Sequence, residues 1–468
     1  MSFSEIEREV LEKLKPQRTL EEIGYRLYQS LKEKIEEALK SEGWKGDVTV
    51  QGSFAKGTWL ATSPELDIFI LLDPSFTYTD VKERVFPKLY RLFESLNPKV
   101  RFSEHPYLIV EIEGFTVEIV PAIRSEREGE FKTAVDRTPY HTRYVNLKAD
   151  EYLKDQIRLL KQFARTIGVY SADIAVEGFS GYLLELLALY YGGFRETLEA
   201  ASRWKAPVVI DLEGHYKSDR EAARFFGGRP LIVVDPVDPK RNVASAVSRE
   251  RLGEFIMASR LYLKRPSIYY FFLPEVDSSE RKRLLSLLEP HLERTVIVDV
   301  RLRTTLPPDT IWGEAKRACR NIRSLLEREG FEVVRCSAWT NESNRAMVAC
   351  LLEDAIKPEI ARQRGPPVES FEHAMRFVEK YLTRPGCGPW IENGRLLALK
   401  ERKYPNAVLL LKEKSEEYLV SDFKSGELDV YLLSWKPEVL EEARSWLEEF
   451  ILGKPKWLLP YYLLLERE

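Results

Sequence analysis

No apolar run in the 468-residue chain is long enough to cross a bilayer. The first residues, MSFSEIEREVLEKLKP, are acidic and amphipathic, with no basic segment leading into an apolar one. A cytoplasmic protein without a secretory leader is therefore expected, with no membrane partner. Cysteine is scarce: the four, Cys319, Cys336, Cys350 and Cys387, form no C-x-x-C pair, which argues against a structural zinc site. They are read as buried free thiols. High charge content and little glutamine fit a thermophile, in which a Cys319–Cys336 bridge would not be out of place. Excess positive charge is missing too. Lys and Arg number 71 against 74 Asp and Glu, a net charge of −3, whereas proteins that wrap duplex nucleic acid are usually basic. Segregation of the charge keeps nucleic acid open as a partner. No G-x(4)-G-K-[ST] occurs, which excludes a P-loop NTPase. GFSGY lacks the second glycine of G-x-S-x-G, which excludes that type of serine hydrolase.

What is present is a globular composition, 44% apolar and 31% charged, with enough chain for about two to four domains. Ser4 and Glu7 fit a capping box ahead of Ile6, Val10 and Leu14, and Pro16 ends that helix. A longer helix carries Ile23, Leu27, Leu31, Ile35 and Leu39 on one face. DVTVQG reads as a strand, SFAKGTW as a short helix, LDIFILL as a strand, and YLIVEIEGFTVEIVP as a hairpin turning at Glu113-Gly114. These make an α+β domain with a small mixed sheet over residues 1–148. Residues 149–258 are mainly helical, with Ser180 capping the apolar helix of GYLLELLALYY and PLIVVDPVDPKRNVAS running from a short strand into a polar loop. Within residues 259–468, TVIVDVRL, a long helix, FEVVRCSAW and RAMVACLLE give the order β-α-β-β, which suggests a ferredoxin-like unit.

The stretch GSFAKGTWLATSPELDIF, residues 52–69, poses the chemical question. Glu65 and Asp67 lie two apart on a strand and so project to one face, roughly 7 Å apart by strand rise. Like charges that close repel, and a divalent cation such as Mg²⁺, which shares its shell with water and phosphate, removes the conflict. Glu118, opposite Phe115, Val117 and Ile119 on its own strand, is the candidate third carboxylate. The alternative is an edge-strand surface charge. Gly52-Ser53 ahead of a helix turn can cradle a phosphate, with Lys56 placed to help.

G-S-x(3)-G-T-x(6)-E-x-D-x-F between two strands resembles the polymerase-β type of nucleotidyltransferase. GSFAKGTWL, ELDIF, VEIVP, AVDRTPYHTRY, IRLLKQF, EGFSGYLLELL, VVDPVDPKRNVA, RGPP and WIENGR together resemble the archaeal class of CCA-adding enzymes over nearly the whole chain. The resemblance implies an α+β multidomain protein with a nucleotidyltransferase head, a helical neck, and a ferredoxin-like α/β body and tail. It implies that Glu65, Asp67 and Glu118 are the catalytic metal ligands, for two Mg²⁺ ions. Ser53, Lys56, Lys161 and Tyr170 would serve the triphosphate, Thr138 and His141 would line the nucleotide pocket, and Arg241 would read the base. Partners would be CTP, ATP, and tRNA through its acceptor stem and TΨC arm. Arg362 and Arg364 are candidate RNA contacts, and a homodimer is left open. Two positions depart from the family pattern: Glu118 stands where Asp is common, and Lys56 where Arg is expected. Two rival readings remain at this point: a poly(A) polymerase or oligoadenylate synthetase on the same head, and an RNA-binding protein with an inactive head.

Overall fold

The computed structural model describes residues 2–102, 106–125, 131, 134–274, 286–383, 386–453 and 455–466. The chain forms two compact units, residues 1–275 with 455–468, and residues 276–454.

The first unit begins with helix Phe3–Leu14, which buries Ile6, Val10 and Leu14. Its capping box is Ser2 with Glu5, not Ser4 with Glu7. Both pairs fit S-x-x-E. The upstream cap puts Phe3 inside the helix, where its ring meets Tyr262 at 5.6 Å and the guanidinium of Arg195 at 5.0 Å. Helix Arg18–Ser41 covers one face of a five-stranded mixed sheet with Leu27, Leu31, Ile35 and Leu39. The strands are β1 (Gly46–Gln51), β2 (Glu65–Leu72), β3 (Lys99–Phe102), β4 (Pro106–Ile112) and β5 (Phe115–Ile123), in the order β1-β2-β5-β4-β3. Only β2 and β5 run parallel; the remaining pairs are antiparallel. Glu113 and Gly114 both take positive φ in the β4–β5 turn, as a two-residue hairpin of this type demands.

Helices Glu151–Thr166 and Gly181–Tyr191, capped by Asp150 and Ser180, form much of the second core of this unit. Within the stretch expected as a polar loop, Asp238–Asn242 is instead strand. β6 (Val208–Asp211), β7 (Leu231–Asp235) and β8 (Asp238–Asn242) make a three-stranded sheet. Asn242 accepts from the backbone N–H of Val233 at 2.9 Å, and its amide donates to Leu231 O at 3.1 Å, which ties the polar segment back to β7. Tyr269 to Phe272 lie at a 3₁₀ turn, with Tyr270 and Phe271 fully buried in this core.

The second unit contains the expected strand-helix-strand-strand run: β9 (Thr295–Arg301), helix Pro308–Arg328, β10 (Val333–Thr340) and β11 (Arg345–Leu352). A separate three-stranded sheet follows, formed by β12 (Ile360–Pro367), β13 (Trp390–Glu392) and β14 (Arg395–Glu401). The chain then returns as β15 (Glu427–Leu432) beside β9, giving an antiparallel sheet of order β10-β11-β9-β15. β9 and β11 are buried on both faces, which explains their near-continuous apolar sequences. No helix among the described residues is long and apolar enough to cross a membrane.

The cysteines are not all free thiols, and the bridge is not Cys319–Cys336. Cys336 and Cys350 stand directly opposite each other on β10 and β11, with Cα atoms 4.3 Å apart, and are disulfide-bonded; Cys319 and Cys387 are free. The bond spans 14 residues, a loop whose closure contributes about 3 kcal/mol by unfolded-state entropy. Alkylation of the unfolded, unreduced protein should therefore label two cysteines and reduction should expose four. The reduced protein should lose stability on that scale in denaturant titration.

Candidate active site

The register of β2 against β5 pairs Asp67 with Glu118 and Glu65 with Thr116. In a parallel pair, residues in register share a face, so all three carboxylates stand at the same end of the same face. Leu66, Ile68, Ile70, Val117 and Ile119 fill the opposite face and are fully buried. Burial, and then repulsion from its neighbours, pushes both Asp67 and Glu118 well above the usual carboxylate range. Gly52 explains how Asp67 is held. Its φ is +65°, and a Cβ there would lie 1.6 Å from Asp67 Oδ2. The carboxylate thus occupies the space a side chain would need, and the backbone N–H of Ser53 donates to it. The Ser53 hydroxyl has no protein partner among the described residues.

Lys56, only 6% exposed, donates to Glu185 Oε2 at 2.6 Å. Lys161 donates to Glu185 Oε1 at 2.8 Å and to Thr58 Oγ1 at 3.0 Å, and Thr58 donates to Glu185 Oε1 at 2.7 Å. Glu185 is fully buried. Burial alone would raise its pKa, but the ammonium groups of Lys161 and Lys56 outweigh that and hold it at about 2. Two cations and one anion leave a net positive charge, and both lysines act to lower the pKa of Asp67. Tyr170 joins this group. The Gly181 Cα approaches so closely that a Cβ would sit 3.0 Å from the Tyr170 hydroxyl and 3.8 Å from Lys161 Nζ. Arg165, from the same helix as Lys161, pairs with Glu65 at 3.1 Å and lies over the Tyr170 ring at 4.7 Å.

A second buried cluster centres on Asp235 at the end of β7. Its Oδ2 meets His141 Nε2 at 2.9 Å and Arg241 NH1 at 2.7 Å; its Oδ1 accepts from the Tyr182 hydroxyl at 3.3 Å and the Val237 N–H at 3.1 Å. Burial lowers the pKa of His141 despite that carboxylate. The neutral ring therefore presents Nε2–H to Asp235. The face of the imidazole stacks on Tyr182 at 4.0 Å, and Lys56 Nζ lies 5.4 Å from the same Tyr182 ring. A contact path thus runs from Lys56 through Tyr182, His141 and Asp235 to Arg241, whose side chain is 36% exposed with donors to spare. Thr138 begins helix Thr138–Lys148, one turn before His141. Arg362 and Arg364 are in the other unit, exposed on one face of β12, where Arg362 pairs with Glu392 at 2.8 Å.

Sequence reasoning missed Glu185, Asp235, Tyr182 and Arg165. Two carried a signal: a lone Glu inside YLLELL, and an Asp ending the wholly apolar LIVVD. A charge in such surroundings needs a partner. Among the described residues, no three His, Cys, Asp or Glu side chains already stand close enough to hold a metal ion. The donor chemistry nevertheless fits a hard cation: carboxylate oxygens on adjacent strands, with Asp67 seated in a cradle that only glycine allows.

Carboxylates on paired strands beside buried lysines suit a cation-dependent reaction on a phosphate group, and residues 32–141 match the nucleotidyltransferase domain family. Residues 155–272 match the tRNA nucleotidyltransferase second domain, and residues 294–422 the CCA-adding enzyme C-terminal domain. The CCA-adding enzyme of Sulfurisphaera tokodaii is 35% identical over 97% of this chain and 99% of its own. That of Saccharolobus shibatae is 37% identical over 86% of this chain and 93% of its own. The chain belongs to the CCA-adding enzymes. Among solved structures, the Cid1 poly(U) polymerase with Mg and 3′-dATP matches at TM-score 0.43 and 18% identity, covering 57% of this chain and 95% of that one.

Gly52→Ala should displace the Asp67 carboxylate and lower the rate of nucleotide incorporation by about a hundredfold or more, the scale of a 1 Å misplacement. Gly43 has a similar φ of +69° but nothing within 4 Å of a built Cβ. Gly43→Ala should carry only the backbone strain, about 1 kcal/mol, and keep its rate.

Glu185→Gln should leave two buried ammonium groups without a counter-charge and cost about 3–5 kcal/mol in denaturant titration at neutral pH. Because the folded pKa of Glu185 lies below its ordinary 4.5, its contribution is present above pH 4.5 and fades as pH falls toward about 2. The gap in stability between wild type and Glu185→Gln should therefore close over that window.

Proposed function

We propose that Glu65, Asp67 and Glu118 hold Mg²⁺ and form the catalytic centre at which this chain completes the 3′ end of tRNA. The enzyme adds C, C and A from CTP and ATP without a nucleic-acid template. What carries the reading is one arrangement: three carboxylates at the same end of the parallel pair β2–β5, with Lys56 and Lys161 buried beside them. Mg²⁺ bound there supplies activation of the 3′-hydroxyl and stabilisation of the departing pyrophosphate. The protein's own groups do the positioning. The Ser53 hydroxyl, Lys56, Lys161 and Tyr170 receive the triphosphate, while Thr138 and His141 line the nucleotide pocket.

Arg241 reads the base. Cytosine presents acceptors at N3 and O2 and adenine at N1, whereas uracil and guanine carry an N–H at the matching edge. Arginine is a donor-only fork, so it accepts C and A and repels U and G. With NH1 committed to Asp235, its remaining donors are fixed in direction.

The reading assigns a nucleotidyltransferase head to residues 1–148, a helical neck to 149–258, and a ferredoxin-like body with tail to 259–468. It implies a cytoplasmic enzyme. Side chains cannot read the deep, narrow major groove of A-form RNA. The acceptor stem and TΨC arm are therefore recognised through phosphates, 2′-hydroxyls and shape, with Arg362 and Arg364 among the contacts.

The test uses a minihelix of acceptor stem and TΨC arm lacking CCA, with each nucleoside triphosphate supplied singly and then together. Wild type should add C, C and A from CTP plus ATP, and incorporation of ATP alone would favour a poly(A) polymerase instead. Glu118→Ala should abolish incorporation while RNA binding persists; a near wild-type rate would make Glu118 a surface charge. Arg241→Ala should keep incorporating but lose the preference for C and A over U and G.

A further inference from the structure

A cavity of about 770 Å³ opens beside Arg241. Among the described residues four cations line it: Arg137, Arg229, Lys240 and Arg241. Two are neutralised, Arg137 by Asp238 at 2.8 Å and Arg241 by Asp235 at 2.7 Å. Arg229 and Lys240 are exposed, and neither side chain has an acidic partner among the described residues. The same wall carries Phe225 and Phe226, edge to face at 4.9 Å, and Phe225 is 56% exposed. Gly227 and Gly228 follow with φ of 70° and 71°, a left-handed turn that brings Arg229 round from the end of helix Asp219–Phe225.

An incoming nucleotide accounts for none of this unpaired charge. Its triphosphate is served by Lys56 and Lys161, and its base is neutral. Free cations beside a neutral base call for phosphates of another molecule. In this reaction that molecule is the RNA, whose 3′-hydroxyl must reach the carboxylates while the incoming base is read at Arg241. The exposed aromatic face fits as well, because bases of a single-stranded end have free faces that stack on such rings.

We infer that this cavity seats the single-stranded 3′-terminal nucleotides of the RNA, with phosphates on Arg229 and Lys240 and a base on Phe225. The inference rests on the reading that Arg241 faces the incoming base.

The full chain is tested by fluorescence anisotropy, without nucleotide or metal, against two probes: tRNA ending in CC, and the same tRNA trimmed of its single-stranded 3′ nucleotides. The double variant Arg229→Gln, Lys240→Gln and the single variant Phe225→Ala should each weaken the first probe by about tenfold, the scale of one lost stack or contact. The trimmed probe should change by less than about twofold. For the first probe, the double variant should also flatten the dependence of log affinity on log salt by about 0.7 for each lost phosphate contact. Equal weakening of both probes, unchanged affinity for both, or a rise in KM for CTP without loss of RNA affinity would overturn the inference. Failure of the Arg241 reading registers separately, as unchanged base selectivity in Arg241→Ala, and the two-probe comparison still decides the cavity.

Discussion

A lysine left free beside three carboxylates would pair with one of them. The buried bonds from Glu185 to Lys56 and Lys161, 2.6 and 2.8 Å long, prevent that collapse. They fix both ammonium groups near Asp67 without giving either of them to it, so neither lysine neutralises that carboxylate by direct pairing. The arrangement is costly in isolation, because a desolvated glutamate needs strong compensation. Here it has two charged donors and a hydroxyl, and one unit of positive charge is left over. That surplus suits a site proposed to accept a triphosphate. Burial and mutual repulsion raise the pKa of Asp67 and Glu118, so a divalent cation seated there would displace protons from them as it relieves the repulsion.

The same helix carries the second hub. Tyr182 and Glu185 lie three residues apart on helix Gly181–Tyr191 and so share a face. Tyr182 bonds to Asp235 and stacks on His141, while Glu185 holds the lysines. One rigid, otherwise apolar helix therefore sets the spacing between the group proposed to hold the triphosphate and the group proposed to read the base. Leu183, Leu184, Leu186 and Leu187 lock it into the core, which leaves its polar exceptions little freedom to drift.

The parts of the fold legible in the sequence are those written in local periodicity. The alternation of Leu66, Ile68 and Ile70 with Glu65 and Asp67 reads as a half-buried strand, and the β4–β5 hairpin turns where Glu113-Gly114 says it should. Glu185 and Asp235 were not legible as site residues, because their partners Lys56 and His141 lie 129 and 94 positions away. Local patterns show only that such charges are misplaced, not what satisfies them. The disulfide failed for a related reason. Cys336 and Cys350 meet through the register of β10 on β11, which neither strand encodes alone. The strand β8 was taken for a loop because Asp238, Pro239, Lys240 and Arg241 look like turn residues; Asn242 supplies the side-chain bonds that hold it to β7.

Lys56 departs from the arginine that the family resemblance implies, and the surroundings give a reason. Its ammonium sits in a slot with 6% exposure, bonded to Glu185 Oε2 and 5.4 Å from the Tyr182 ring centre. An ammonium is a compact charge with three rotatable donors, so one bond to Glu185 leaves two for a phosphate. A guanidinium is a wide planar fork with five fixed donors. In the same slot it would need more acceptors or more room, and Tyr182 cannot yield room without breaking its bond to Asp235. Lys56, Tyr182 and Glu185 are thus mutually adjusted. An arginine at position 56 would have to be accompanied by change on the facing helix, which makes the departure a property of the pair of elements and not of the single residue.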